Sequence, residues 1–76
     1  MFKKEIFADR LKYLRTEHNL SMLALATAVG LKSKGAINQF EKGLNLPSIE
    51  TLVALADYFS VSVDYLLGLS DKPERQ

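Results

Sequence analysis

Apolar residues recur along most of this chain at helical spacing. Phe7, Leu11 and Leu14 stand at i, i+4 and i+7, one stripe of an amphipathic helix over residues 5–18. Its other face carries Asp9, Arg10, Lys12, Arg15 and Glu17. Asn19 accepts left-handed dihedrals and ends that helix, and Leu20 anchors the connection. Ser21 is a good N-cap for a short second helix, 22–29, with Leu25, Ala26 and Val29 inward. Gly30 closes it and Leu31 plugs the core. Ser33 is the expected N-cap of a third helix, 34–42, in which Ile37 and Phe40 form an apolar i, i+3 pair and after which Gly43 stops the chain. Beyond the loop LNLPS, Ser48 caps a fourth helix, 49–59, with Leu52, Leu55, Ala56 and Phe59 inside. Ser60 and Val61 form a turn. Ser62 caps a short fifth helix, 63–67, with Asp64 in the first turn, where the helix dipole favours an acid, and Gly68 ends it. The pattern predicts an all-α, compact five-helix domain over residues 1–69 and a polar, flexible tail over 70–76.

The stretch MLALATAVGLKSKGAINQFE organises the rest. It outlines a helix, a tight turn on glycine, and a second helix whose apolar side packs back on the first. Ala26, four residues before Gly30, is small, as a close crossing of two helices needs. The outward residues of the second of these helices are Ser33, Lys34, Gly35, Asn38 and Gln39. They are short, basic or amide-bearing, the chemistry that reads base edges in a major groove. These features imply a helix-turn-helix with double-stranded DNA as its partner.

Composition narrows the alternatives. With 76 residues the chain makes one small domain, and 47% apolar with 25% charged residues describes a globular chain, not a disordered one. There is no cysteine, so neither a disulfide nor a thiolate-held metal supports the core. No apolar run approaches the ~20 residues of a membrane span, and MFKKEIFADR lacks a signal-peptide hydrophobic region, so a cytoplasmic location is the expectation. The net charge of +1 is uninformative, but residues 1–43 carry eight Lys/Arg against four acids and residues 44–76 two against five. One basic half suits a domain that lays one face on phosphate. The single histidine, His18, sits at a helix end with no nucleophile motif nearby, where it interacts with the helix dipole. Asp57 and Asp64 look solvated. With no Cys/His metal spacing and no glycine-rich phosphate loop, neither an enzyme nor a cofactor or metal is expected.

RLKYLRTEHNLS, LATAVGL, AINQFEKG and PSIETLVALADYFSVSVDYLLG together resemble the phage-repressor (Cro/repressor, or xenobiotic-response-element) type of helix-turn-helix domain, over about residues 7–68. The resemblance implies a second helix lying over the DNA backbone and a third in the major groove. It also implies dimers on palindromic operators and repression of transcription. By position it assigns base contacts to Lys34, Gly35 and Gln39, then Ser33 and Asn38, and an ion pair to Arg15 and Glu41. It implies that a regulatory domain commonly joins after the residue matching Gly68. The chain departs from the family pattern in places. GLKSKGAIN has one residue more than usual between the turn glycine and the isoleucine, which means either a longer turn or a different start for the third helix. Met22 stands where a phosphate-holding glutamine is usual, Leu23 where a polar residue is usual, and Leu44 and Leu46 in a loop that is often basic. Ser60 replaces a frequent glycine.

Each candidate has two readings. Lys34 donates to guanine O6/N7 or to a phosphate, or is a solvated lysine; Gln39 bonds adenine bidentately, or is a surface amide. Gly35 lets the backbone approach the groove, or is a weak spot in the helix. Lys32, Lys42 and Asn45 suit phosphates, with Met22 and Arg15 on the same backbone-facing side. Arg15 and Glu41 form either a part-buried tie between helices or a solvated pair. Val63, Tyr65, Leu66 and Leu69 exceed what a short terminal helix needs and are candidates for a homodimer contact. The rival reading is a protein-interaction module, antitoxin-like or binding an anti-repressor, that uses an apolar surface of Met22, Leu23, Leu44 and Leu46.

Overall fold

The computed structural model describes residues 2–75 and contains five helices: α1 Lys4–Glu17, α2 Met22–Ala28, α3 Lys34–Glu41, α4 Ile49–Phe59 and α5 Val63–Leu66. No strand occurs among the described residues. The expected boundaries differ by at most one residue at each end. Phe7, Leu11, Leu25, Ile37, Leu55 and Leu66 are fully buried at the centre, one or two from each helix. The rings of Phe7 and Phe40 meet edge to face at 6.2 Å between centroids, the geometry aromatic quadrupoles favour. α3 packs on both α2 and α1, and α5 bridges α1 and α4.

The helices share one way of stopping. In each, a residue with positive φ follows the last turn: Asn19, Gly30, Gly43, Ser60 and Gly68. The next residue's N–H then reaches back to a carbonyl in the last turn: Leu20 to Arg15, Leu31 to Ala26, Leu44 to Gln39, Val61 to Ala56 and Leu69 to Asp64, at 2.8–3.1 Å. This is the Schellman turn, which satisfies carbonyls the helix leaves open and aims an apolar residue back at the helix. Leu20, Leu31 and Val61 obey and pack into or against the core. Leu44 and Leu69 do not, and lie 65% and 61% exposed. Helix starts are equally local. Ser21, Ser48 and Ser62 each accept the N–H three residues on. Ser33 stands at the N-cap of α3, but its side chain makes no capping bond, contrary to expectation.

Arg10 gathers the chain's C-terminal end. Its guanidinium lies 4.3 Å over the Tyr65 ring, donates to the Tyr65 carbonyl, and reaches the Ser70 carbonyl at 2.6 Å and Asp71 at 2.9 Å. The Ser62 N–H donates to the Pro73 carbonyl at 2.9 Å, and Arg75 pairs with Asp57. The segment expected to be a flexible tail carries these contacts as far as residue 75. Of the dimer candidates, Leu66 needs correction: it is fully buried in the core and has no surface to offer a second copy. A helix of one turn gives too little periodicity to tell its inner residue from its outer ones. Val63 and Tyr65 are half-buried, and Leu69 stays exposed.

Ser60 is a non-glycine residue held at φ 55°, a conformation that crowds its Cβ. Ser60→Gly is expected to raise stability by about 0.5–1 kcal/mol, the crowding relieved being partly offset by a freer unfolded chain. A thermal melt reads this directly, and an unchanged or lower midpoint would mean that serine is unstrained there.

Candidate nucleic-acid interface

α3 has eight residues, carries Gly35 in its first turn and lacks a side-chain cap, so it is a poor helix by itself. Two things hold it. Ile37 and Phe40 bury its inner face. At its last residue, Glu41 takes a two-point hydrogen bond from Arg15 of α1: Nε to Oε2 at 2.6 Å and Nη2 to Oε1 at 3.0 Å. Nη1 of the same arginine donates to the Leu20 carbonyl at 2.8 Å. One side chain therefore ties α1, the α1–α2 turn and the end of α3. The side chains of Arg15 and Glu41 are 13% and 3% exposed, so the pair is largely desolvated and the buried reading is the correct one. The hydrogen bond to Glu41 holds the Arg15 pKa above its ordinary value; burial opposes this, and the carboxylate's charge adds to it. A raised pKa on a base means stabilisation present below the unfolded value and lost only as pH climbs through the folded one, far above physiological pH.

Held in this way, α3 turns its candidate reading residues outward. Lys34, Gly35 and Gln39 are exposed, Ser33 is exposed at the helix start, and Asn38 is half-buried. Lys32 precedes the helix, Lys42 follows it, and both are exposed; no Lys32, Lys34 or Lys42 ion pair occurs among the described residues. The turn bends at Lys32, and α3 begins at Lys34. A Cβ added at Gly35 would meet Ser33 Oγ at 3.5 Å, an ordinary contact, so steric crowding does not require a glycine there.

Two backbone-contact expectations are corrected. Arg15 is engaged by Glu41 and Leu20 and is largely covered, which commits it to the internal tie and not to phosphate. The Met22 side chain is half-buried against the core and has no polar hydrogen to donate, which leaves only the backbone N–H at the start of α2 for a phosphate. With Leu23, Ser21, Lys32, Ser33 and Lys34 it lines an open hollow between the starts of α2 and α3. Leu46 belongs to a different hollow, with Phe2, Pro47, Leu52 and Leu67. Met22 and Leu23 thus line one hollow and Leu46 another, and Leu44 is exposed in the loop after α3.

Sequence reasoning missed one contact at this face. Asn45, exposed in the loop after α3, donates its Nδ2–H to Oε1 of Gln39. The signal was present: a Gly43–Leu44 pair after α3 predicts a Schellman turn, and such a turn carries the next residue back over the helix.

A short helix, a glycine turn and an exposed, amide- and lysine-bearing second helix define a helix-turn-helix domain. The helix-turn-helix family model (HTH_3) matches residues 11–66, and the chain belongs to that family, the Cro/repressor type. It is 39% identical over 69 residues to YobD of Bacillus subtilis, described as an uncharacterized HTH-type transcriptional regulator, covering 91% of this chain and 61% of YobD. It is 38% identical over 62 residues to BcrR of Enterococcus faecalis, an HTH-type transcriptional activator, covering 82% of this chain but 30% of BcrR. The chain thus spans about three fifths of one regulator and under a third of the other. Among solved structures, the P22 c2 repressor in complex with a synthetic operator superposes with a TM-score of 0.76 at 34% identity, covering 80% of this chain and 91% of that one. Among the described residues, no helix is long and apolar enough to cross a membrane.

Glu41→Ala is expected to cost about 3 kcal/mol or more, because it strands a buried guanidinium, whereas Arg15→Met with Glu41→Leu costs much less by removing both charges. Urea denaturation of the singles and the double gives the comparison; equal losses would mark the pair as solvated. Gly35→Ala is expected to stabilise the fold by about 0.5–1 kcal/mol through helix propensity alone. A fall in the melting midpoint would show that the backbone there needs the glycine.

Proposed function

We propose that this domain is the DNA-reading part of a transcriptional regulator. In the simplest form it is a repressor that occupies a promoter as a homodimer, in the cytoplasm. The observation that carries the reading is the exposed row Lys34, Gly35 and Gln39 on a helix tied rigidly to its domain, flanked by the free lysines Lys32 and Lys42. Base edges need donors and acceptors at fixed positions, and the Arg15–Glu41 tie supplies the fixity. Phosphates need cations near that row, and the lysines supply them. Two copies on a palindrome place their recognition helices about one helical turn apart. Val63, Tyr65 and Leu69 remain the candidates from α5 and its end for contact between the copies. The similarity to the P22 c2 repressor, which was solved on an operator, supports DNA as the partner, and the similarity to YobD supports the regulatory role.

Selection from a random double-stranded DNA pool, followed by titration of the winner over a salt series, tests this. An enriched palindrome with half-sites about 10 base pairs apart and a negative salt slope is the expected result. No enrichment and only weak low-salt binding would overturn it. On the selected DNA, Gln39→Ala is expected to relax preference at one base position, and Lys42→Ala to weaken all sequences alike while reducing the salt slope by about 1. Identical behaviour of the two variants would contradict the assigned roles.

A further inference from the structure

We propose that an apolar patch beside the end of α3 is the surface through which two copies of this domain touch on DNA, in place of the α5 residues Val63 and Tyr65. This rests on the DNA-reading function above and gives the second copy its seat, on Leu46, Ile49 and Val53.

The patch starts from a hollow of about 190 Å³ lined by Phe2, Leu46, Pro47, Leu52 and Leu67. It is assembled from the start of the chain, the loop after α3, the first half of α4 and the residue that follows α5. Phe2 and Leu46 are exposed at its rim. α4 extends it outward. Ile49 is the first residue of that helix, and Val53 stands one turn on, on the same face. Both are exposed, Ile49 to 81%. An isoleucine that exposed buries almost nothing in its own domain, and β-branching gives the helix no help. A cluster of exposed apolar side chains of this kind marks a contact with another molecule.

Charge, position and size make that molecule a second copy. A twofold pair sets each patch against itself, so charge of one sign on it would repel. None of the residues that line the hollow is charged, and neither is Ile49 or Val53. The chain neighbours at the rim carry both signs: Lys3 and Lys4 after Phe2, and Glu50 after Ile49, all exposed. The α5 face is already covered. Arg10 lies over the Tyr65 ring, and the segment 70–75 runs past Val63 and Asp64 with Lys72, Glu74 and Arg75. The patch also borders the reading row, because Leu46 follows the turn whose Leu44 N–H returns to the Gln39 carbonyl at 3.0 Å. The fold measures 28 × 23 × 22 Å. Recognition helices on a palindrome lie ~34 Å apart, so two bodies of this width meet only along facing edges. The few side chains of the patch fall well short of the roughly 20–30 residues a side that hold a stable dimer. The pair therefore forms on the operator, where DNA keeps both copies at high effective concentration, and comes apart in free solution.

The test compares the selected palindrome with a duplex carrying one half-site. Half-site affinity reports DNA reading by one copy, and the cooperativity of filling the palindrome reports contact between copies. The wild type is expected to sediment as a monomer at micromolar concentration and to fill the palindrome cooperatively. That cooperativity is expected to vanish when about five added base pairs, half a helical turn, part the half-sites. Ile49→Ser and Val53→Ser are each expected to keep half-site affinity and to lower cooperativity by about 5- to 30-fold, because the twofold repeats the loss on both copies. Leu69→Ser, exposed at the end of α5, is expected to change neither. Full cooperativity in both α4 variants overturns the proposal and leaves the patch to a different partner. A loss in Leu69→Ser alone overturns it and returns the contact to α5. A stable wild-type dimer in free solution overturns it too, because this patch is too small to hold one. Failure of the wild type to enrich any sequence is a separate result: it removes the DNA-reading function, and the proposal with it. Ile49 and Val53 are exposed, and circular dichroism melts of both variants establish that the fold is unchanged.

Discussion

The structure depends on one desolvated ion pair. Arg15 joins Glu41 in two hydrogen bonds and the Leu20 carbonyl in a third, so one side chain links α1, the first turn and the far end of α3. Eight residues with a glycine in the first turn and no side-chain cap form too little helix to persist alone in water. Ile37 and Phe40 supply the burial, but an apolar contact is non-directional and leaves a short helix free to rotate or slide. The paired fork of Arg15 is directional, and it fixes the rotation of α3 about its own axis. A reading helix needs that rotation fixed, because a small turn would carry Lys34 and Gln39 away from any base edge they address.

The second organising device is the repeated Schellman turn. It lets a chain of this length turn four times between short helices and still return an apolar side chain to the core at Leu20, Leu31 and Val61. Where the same turn does not bury its apolar residue, at Leu44 and Leu69, the chain is next to surface that other parts of the account use. After Leu44 comes Asn45, bonded to Gln39; beside Leu69 come Ser70 and Asp71, gathered by Arg10. The same local geometry ends a helix in both places and delivers a polar residue to a defined partner.

The fold was legible because its determinants are local. Serines one residue before four of the five helices, glycine or asparagine two residues after four of them, and the stripes themselves are all read within a few positions. What escaped was of three kinds. The start of α3 was ambiguous because two loop conformations share one composition, and the structure sets it at Lys34. The inner face of α5 was unreadable because four residues do not establish a period, so Leu66 was assigned to the surface. The Arg10 cluster joins residues 55 to 61 positions apart, a separation on which periodicity is silent. At the site, the exposure of Lys34, Gly35 and Gln39 followed from helical phase once Ile37 and Phe40 were placed inside. The Arg15–Glu41 pair came from a family resemblance and not from spacing. The Asn45–Gln39 bond was implied by Gly43–Leu44 but required the turn to be followed one residue further.

The Arg15–Glu41 tie, more than α3's own propensity, holds the recognition helix in register. Amide hydrogen exchange of the α3 residues Asn38 to Glu41, compared between the wild type and Glu41→Gln under native conditions, tests it most directly. Protection in α3 is expected to collapse towards that of a frayed end while α4 retains most of its own, because the tie acts on one helix. A fall shared equally by α3 and α4, or no fall at all, would show that the core alone positions α3.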